Sequence, residues 1–155
     1  MRILYFDTHR QAEAEKKYGA RFVDLNTLLC ESDFVSLHTT LTHESSHLID
    51  DARLKMMKPG GILINTSRGP VVDSGALYRA LSSGVIAYAA LDVTEPEPIK
   101  PDDPLLTLDN IIIAPHIASA SFQTRARMAT MAAENLIAGL RGERLPNCVN
   151  PQVYA

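Results

Sequence analysis

Short apolar runs alternate with amphipathic stretches along this chain, and the alternation predicts strands interleaved with helices. Ile3-Leu4-Tyr5-Phe6 is an apolar, aromatic run that stops at Asp7, the pattern of a buried strand. Residues 11–18 are rich in Ala, Glu and Lys and are closed by Gly19, which predicts a short helix with a C-terminal glycine. Residues 25–32 read as another helical turn or two, and residues 34–38 as a strand. Helix formers fill residues 50–58 until Pro59-Gly60-Gly61 stops them, and Ile62–Asn65 is again a strand.

A helix follows over residues 73–83. Asp73 or Ser74 can cap it, Leu77 and Leu81 lie four apart, and Gly84 ends it. Residues 85–93 and 110–114, the latter with three consecutive isoleucines, read as strands. Ser119 or Ser121 then caps the longest helix, to about Leu140, with Met128, Met131, Ala132, Leu136 and Leu140 on one face. Strands alternating with helices, with near-continuous apolar strand runs, predict a parallel sheet covered on both faces. Residues 94–106 form a long loop carrying four of the nine prolines, a type of segment that is often functional.

Composition narrows the class. The chain has 155 residues, 46% of them apolar, which fits one globular domain rather than a disordered chain. Its net charge is −3 and the basic residues are scattered, which argues against a nucleic-acid partner. No apolar stretch approaches the roughly 18 residues that span a bilayer, so no membrane partner is expected. The N-terminus lacks signal-peptide character, and Cys30 and Cys148 stand far apart with no C-x-x-C pair. Together these predict two reduced thiols in a cytoplasmic protein.

In open α/β sheets ligands bind beyond the carboxyl ends of the strands. Standing there are Asp7; His38, Thr39 and Thr40; Thr66, Ser67, Arg68 and Gly69; Asp92, Glu95 and Glu97; and Pro115 and His116. Each has a plainer reading: Asp7 as a turn residue, Arg68 in a surface ion pair, His116 as a satisfied loop histidine. Taken together, an arginine that can clamp a carboxylate through two hydrogen bonds, a histidine and a carboxylate make an acid/base site.

Residues 43–47, HESSH, match the H-E-x-x-H signature of zinc peptidases. That chemistry needs both histidines one turn apart on a well-formed helix, plus a third ligand. Ser45 and Ser46 are poor helix-interior residues, no glutamate follows Glu44 until Glu95, and no histidine follows His47 until His116. The expectation is no metal, with His43 and His47 facing solvent.

Three segments, ILINTSRGPVVDSGAL, AALDVTEPEP and NIIIAPHIASAS, resemble the D-isomer-specific 2-hydroxyacid dehydrogenases, which include glyoxylate/hydroxypyruvate reductases and phosphoglycerate dehydrogenases. The resemblance runs from Arg2 to the tail RGERLPNCVNP. It implies an NAD-dependent enzyme interconverting a 2-oxo acid and a D-2-hydroxy acid, as a homodimer. Arg68 matches the arginine that binds the substrate carboxylate and carbonyl, His116 the general acid/base, and Glu97 the glutamate that pairs with it; Glu95 sits two positions early. Asp7 matches the acidic residue that holds the adenosine ribose and favours NAD over NADP, although Arg10 lies close. Thr39, Thr66, Ser67, Arg68 and Asp92 match positions that touch the cofactor, and His116, Ala118 and Ser119 belong to the loop beside the nicotinamide. Two departures are visible: Thr40 and His43 stand where the family has prolines, and HESSH falls in a loop variable in the family.

No G-x-G-x-x-G is present. By resemblance, Ile3 to Asp7 is the second strand of the fold. The expected architecture is therefore α/β, an incomplete Rossmann-type doubly wound parallel sheet lacking its first strand and glycine-rich loop, within a longer enzyme. Residues 1–142 would be a partial NAD-binding domain and 143–155 a tail toward a substrate domain. In the order 3-2-1-4-5-6, loss of the first strand leaves two unpaired edges and an uncovered apolar face. The alternatives are a non-catalytic NAD-binding, corepressor-like protein or an inactive truncated remnant.

Overall fold

A computed structural model describes residues 1–154 and divides into two compact units, one from Met1 to His116 and one from Ile117 onward. The last residue of the tail, Ala155, lies outside the described residues.

The first unit carries β1 (Leu4–Tyr5), α1 (Ala12–Tyr18), β2 (Arg21–Phe22), α2 (Leu25–Glu31), β3 (Phe34–Leu37), α3 (Asp51–Leu54), β4 (Ile62–Asn65), α4 (Ser74–Ser82), β5 (Tyr88–Leu91) and β6 (Ile111–Ile113). Aspartates start three of the helices. Asp24, Asp50 and Asp73 accept the backbone N–H of Thr27, Arg53 and Ala76 at 2.9, 2.9 and 2.8 Å, answering donors that the first helical turn leaves unpaired. Gly19 takes the left-handed conformation, φ 64°, that ends α1.

All strand pairs are parallel, in two separate sheets: β1 with β2, and a four-stranded sheet in the order β3-β4-β5-β6. The register aligns Val35, Leu63, Ala89 and Ile111 in one row and Leu37, Asn65, Leu91 and Ile113 in another. These rows form the inner face, packed with Leu29, Leu54, Leu77 and Leu81 of the helices and with Ile49, Val71, Val72 and Leu105. Each fully buried leucine contributes about 2 kcal/mol of transfer free energy.

The sheet is covered on one face only, which corrects the expectation of cover on both. On the other face Phe34, Tyr88 and Ile112 are 63%, 53% and 70% exposed. No strand joins β1 to β3 among the described residues. With β1 and β2 as the second and third strands of a 3-2-1-4-5-6 order, the break falls where the first strand belongs. The edges of β1 and β3 beside that break are unpaired among the described residues.

Other differences are local. β1 is half-buried rather than buried, and β2 has no run of apolar residues to announce it. Helix α3 stops at Leu54 because Met56 and Met57 donate to Arg53 and Leu54, three residues back, and tighten the chain before Pro59. β5 starts at Tyr88 rather than at residue 85. Gly84 and Val85 donate back to Leu81 and Ala80 and so close α4, while Ile86 is fully buried.

In the second unit, α5 (Phe122–Leu140) is capped by Ser121, whose hydroxyl accepts the Thr124 N–H at 3.2 Å. Its expected apolar face is open, with Met128, Leu136 and Leu140 59%, 64% and 80% exposed. The tail turns back on this helix: Asn147 donates to the Asn135 side chain at 3.0 Å, and Arg144 lies over the Tyr154 ring. Among the described residues no helix is long and apolar enough to cross a membrane.

Candidate active site

The carboxyl end of β4 is organised by one buried amide. The Asn65 side chain, 1% exposed, donates to the Arg68 carbonyl at 2.9 Å and accepts the Ser67 N–H and hydroxyl at 3.0 and 2.9 Å. A buried polar group has to be satisfied in this way, and the consequence is a fixed turn that leaves Arg68 projecting at the surface. Its Nη1 donates to the Ser67 carbonyl at 2.6 Å. A cleft of about 280 Å3 opens there, lined by His38, Thr39, Thr40, Leu41, Thr66, Ser67 and Arg68. The three expected cofactor positions beyond β4, Thr66, Ser67 and Arg68, thus share a cleft with Thr39, just beyond β3.

Residues 69–71 make a 3-10 turn that lies directly on the loop after β5. A Cβ built on Gly69 would stand 1.9 Å from the Thr94 carbonyl oxygen and 2.9 Å from the Glu95 nitrogen. Both are backbone atoms that cannot swing aside, so only glycine fits. Gly69→Ala is expected to lower stability by about 2–3 kcal/mol. The control is Gly60→Ala, where a Cβ meets nothing within 4 Å. Denaturant midpoints that coincide for the two variants would refute this packing.

The loop after β5 carries both candidate glutamates. Thr94 donates its hydroxyl to the Pro96 carbonyl at 2.8 Å, and the peptide bonds Glu95–Pro96 and Glu97–Pro98 are both cis. Asp92, 7% exposed, ties the loops together: its N–H donates to the Asn65 carbonyl at 2.9 Å, and its carbonyl accepts the His116 N–H at 3.0 Å. That bond sets His116 just beyond β6 with φ 55°. Its ring Nδ1 meets Glu97 Oε1 at 2.5 Å, with the two side chains 48% and 41% exposed. A carboxylate only accepts, so Nδ1 carries the proton and Nε2 is the atom left to exchange one.

Glu95 faces elsewhere. Its Oε2 lies 2.9 Å from His47 Nε2. Residues 43–47 are turns, not a helix, so the two histidines of HESSH do not line up as a zinc pair. His43 is exposed; His47 is half-exposed and engaged, which refines the expectation that both simply face solvent.

Asp7 stands at the end of β1, in the two-stranded sheet. Its Oδ1 accepts the His9 N–H and the Thr8 hydroxyl, each at 3.2 Å, and the His9 N–H holds this carboxyl below the usual aspartate range. Arg10 does not neutralise it. It grips Glu15 through two bonds of 2.8 Å, and these, with the Tyr5 hydroxyl, lower the Glu15 pKa to about 2. Ala118 and Ser119 fall in the second unit, in the turn that the Ala120 N–H closes onto the Ile117 carbonyl.

The structure thus brings Arg68, Glu97 and His116 to the carboxyl ends of three adjacent strands, β4, β5 and β6. Sequence reasoning placed Gly69 at the strand end without the close approach that requires it, and missed Asn65 and the His47–Glu95 pair. Only the glycine carried a signal, in its place directly after the arginine.

Comparison with known proteins identifies the family and the fold. The family described as "D-isomer specific 2-hydroxyacid dehydrogenase, NAD binding domain" matches residues 1–118. A glyoxylate reductase of Korarchaeum cryptofilum is 60% identical over 99% of this chain and 46% of its own length. A glyoxylate/hydroxypyruvate reductase B of Cronobacter sakazakii is 49% identical over 98% of this chain and 47% of its own. The crystal structure of D-lactate dehydrogenase with NAD+ from Lactobacillus jensenii superposes with a TM-score of 0.87 at 32% identity, covering 96% of this chain and 48% of that one. The chain spans about half the length of the relatives it matches. Matched over more than two thirds of its residues, it belongs to the D-isomer specific 2-hydroxyacid dehydrogenase family, through that family's NAD-binding domain.

Proposed function

We propose that this chain is the NAD-binding and proton-transfer part of a cytoplasmic, NAD-dependent oxidoreductase that interconverts a small 2-oxo acid, glyoxylate or hydroxypyruvate, with its D-2-hydroxy acid. The observation that carries the reading is the placement of Arg68, Glu97 and His116 on three adjacent strand ends, with Glu97 on His116 Nδ1. Arg68 binds the substrate carboxylate and polarises the carbonyl oxygen. His116 Nε2 gives its proton to that oxygen, and Glu97 holds the ring in the required tautomer. In the reverse direction the same nitrogen removes the hydroxyl proton.

The residues present fit part of the cofactor. Asp7, exposed and held anionic, suits the two hydroxyls of the adenosine ribose. Thr39, Thr66, Ser67, Arg68, Asp92, His116, Ala118 and Ser119 are the positions proposed for the rest, and a glycine-rich pyrophosphate turn is not among the 155 residues. When bound, NADH supplies the hydride that reduces the carbonyl carbon. Residues 1–142 form part of the NAD-binding domain and 143–155 a tail toward a substrate domain; the assembly is a homodimer.

The test is reduction of glyoxylate and hydroxypyruvate by the native full-length protein with NADH. Turnover is expected; its absence, with NADH still bound, would favour a corepressor-like binding protein. Asp7→Asn removes the charge that repels a 2′-phosphate, and the NADH-over-NADPH ratio of kcat/KM is expected to fall by about 10-fold or more. An unchanged ratio would take cofactor choice away from Asp7.

A further inference from the structure

Among the described residues two non-glycine residues have positive φ, His47 at 49° and His116 at 55°. Both are histidines, and both reach a glutamate of the same short loop, His47 to Glu95 and His116 to Glu97. We infer that His47 is a positioning residue for the acid/base pair: by holding Glu95 it fixes the 94–98 loop so that Glu97 meets His116. This rests on the function proposed above.

The geometry supplies the lever. The His47 N–H donates to the Pro70 carbonyl at 2.7 Å, Ile49 donates to Val71 at 3.0 Å, and Asp73 donates to Ile49 at 3.1 Å. Residues 47–49 are therefore laced to the segment just after Arg68, and the His47 ring stands on a fixed base. Glu95 is held at both ends, by that ring on its carboxylate and by the Ser74 hydroxyl on its carbonyl at 3.4 Å, and its peptide with Thr94 runs too close to Gly69 to admit a Cβ there. Pro96 between them has a locked φ, so few torsions separate Glu95 from Glu97, and a rotation at one end swings the other. There is also a question of choice. Two chemically identical carboxylates stand two residues apart, and engaging Glu95 with His47 leaves Glu97 as the one for His116.

The size of the effect is bounded. The His47 and Glu95 side chains are 48% and 38% exposed, and an exposed pair couples weakly. Removing it is expected to change catalysis by about 3- to 5-fold, far less than removal of a catalytic residue.

His47→Gly is the sharp variant. It keeps the N–H to Pro70, suits the positive φ and deletes only the ring. In the native full-length protein, with glyoxylate and NADH, kcat is expected to fall about 3- to 5-fold, with the NADH KM and the melting midpoint unchanged. His47→Gln, which restores a donor to Glu95, should recover most of the loss. In a Glu97→Gln background His47→Gly should have no further effect, because the ring acts through Glu97. The Nδ1 proton resonance of His116, which reports the Glu97 bond without turnover, should move in His47→Gly. A resonance and kcat identical to the parent's, or a His47→Gly loss undiminished in the Glu97→Gln background, would overturn the inference. A parent protein that does not turn over while the resonance still moves would sink the proposed function and leave the positioning role standing.

Discussion

Replacing His116 by alanine in the native full-length protein is expected to lower kcat by about 1000-fold, the range for loss of a positioned general acid. Arg68→Ala is expected to differ in kind, raising the substrate KM as well, because in the proposed role the arginine grips the substrate carboxylate before and during the reaction. In the proposed mechanism His116 is the one of the two whose removal leaves the carbonyl oxygen without a proton. Its tautomer is set by Glu97, which accepts from Nδ1 and so commits Nε2 to the chemistry. The backbone gives a cleaner variant still. His116 sits at φ 55°, and asparagine tolerates that region better than alanine does. His116→Asn should therefore keep the loop in place, keep NADH affinity and lose turnover. If either variant retained kcat to within about 10-fold, proton transfer by this ring would be the wrong assignment.

Much of this was written locally. Asp73 ahead of Leu77 and Leu81, Gly19 after a run of helix formers, and Ser121 before the longest helix are each one-residue signals with a local cause, and each acts where it stands. The placement of Arg68, Glu97 and His116 on one edge was legible for a similar reason. A parallel sheet puts every strand's carboxyl end on one edge, so residues distant in sequence could be placed together by counting strands. What escaped the sequence depends on partners far along the chain. β2 exists because Arg21 and Val23 donate to Ile3 and Tyr5, and a two-residue ladder has no periodicity to read. Residues 85 and 86 are apolar enough for a strand, but Val85 closes α4 and Ile86 is buried ahead of β5. Glu95 and Glu97 are interchangeable as letters in E-P-E-P. Their distant partners, His47 upstream and His116 downstream, separate them in space. Nor could the pattern on α5 say whether its apolar face is filled, since periodicity marks a face and not its cover.

The 155-residue chain by itself is expected to bind NADH at least about 100-fold more weakly than a polypeptide that also carries a strand and glycine-rich turn ahead of residue 1. The reason is the broken sheet. β1 and β2 hold each other through two-residue strands, and a two-stranded ribbon is marginal in water. Asp7 stands on that ribbon, whereas Thr39 and Arg68 stand on the four-stranded sheet, and no ladder links β1 to β3. A ligand that must touch both pays for ordering them, and its apparent affinity falls by the fraction of time the ribbon is in place. Amide exchange separates this from a simple lack of contacts. In the isolated chain the β1 and β2 amides should exchange at least about 100-fold faster than those of β4 and β5, which lie inside the sheet. With a strand between β1 and β3 the difference should largely vanish, and calorimetry should record the gain in NADH affinity alongside it. Slow exchange in β1 together with micromolar NADH binding by the 155 residues alone would mean that the ribbon is held in place without that strand, and that the open edges beside β1 and β3 do not limit the fold.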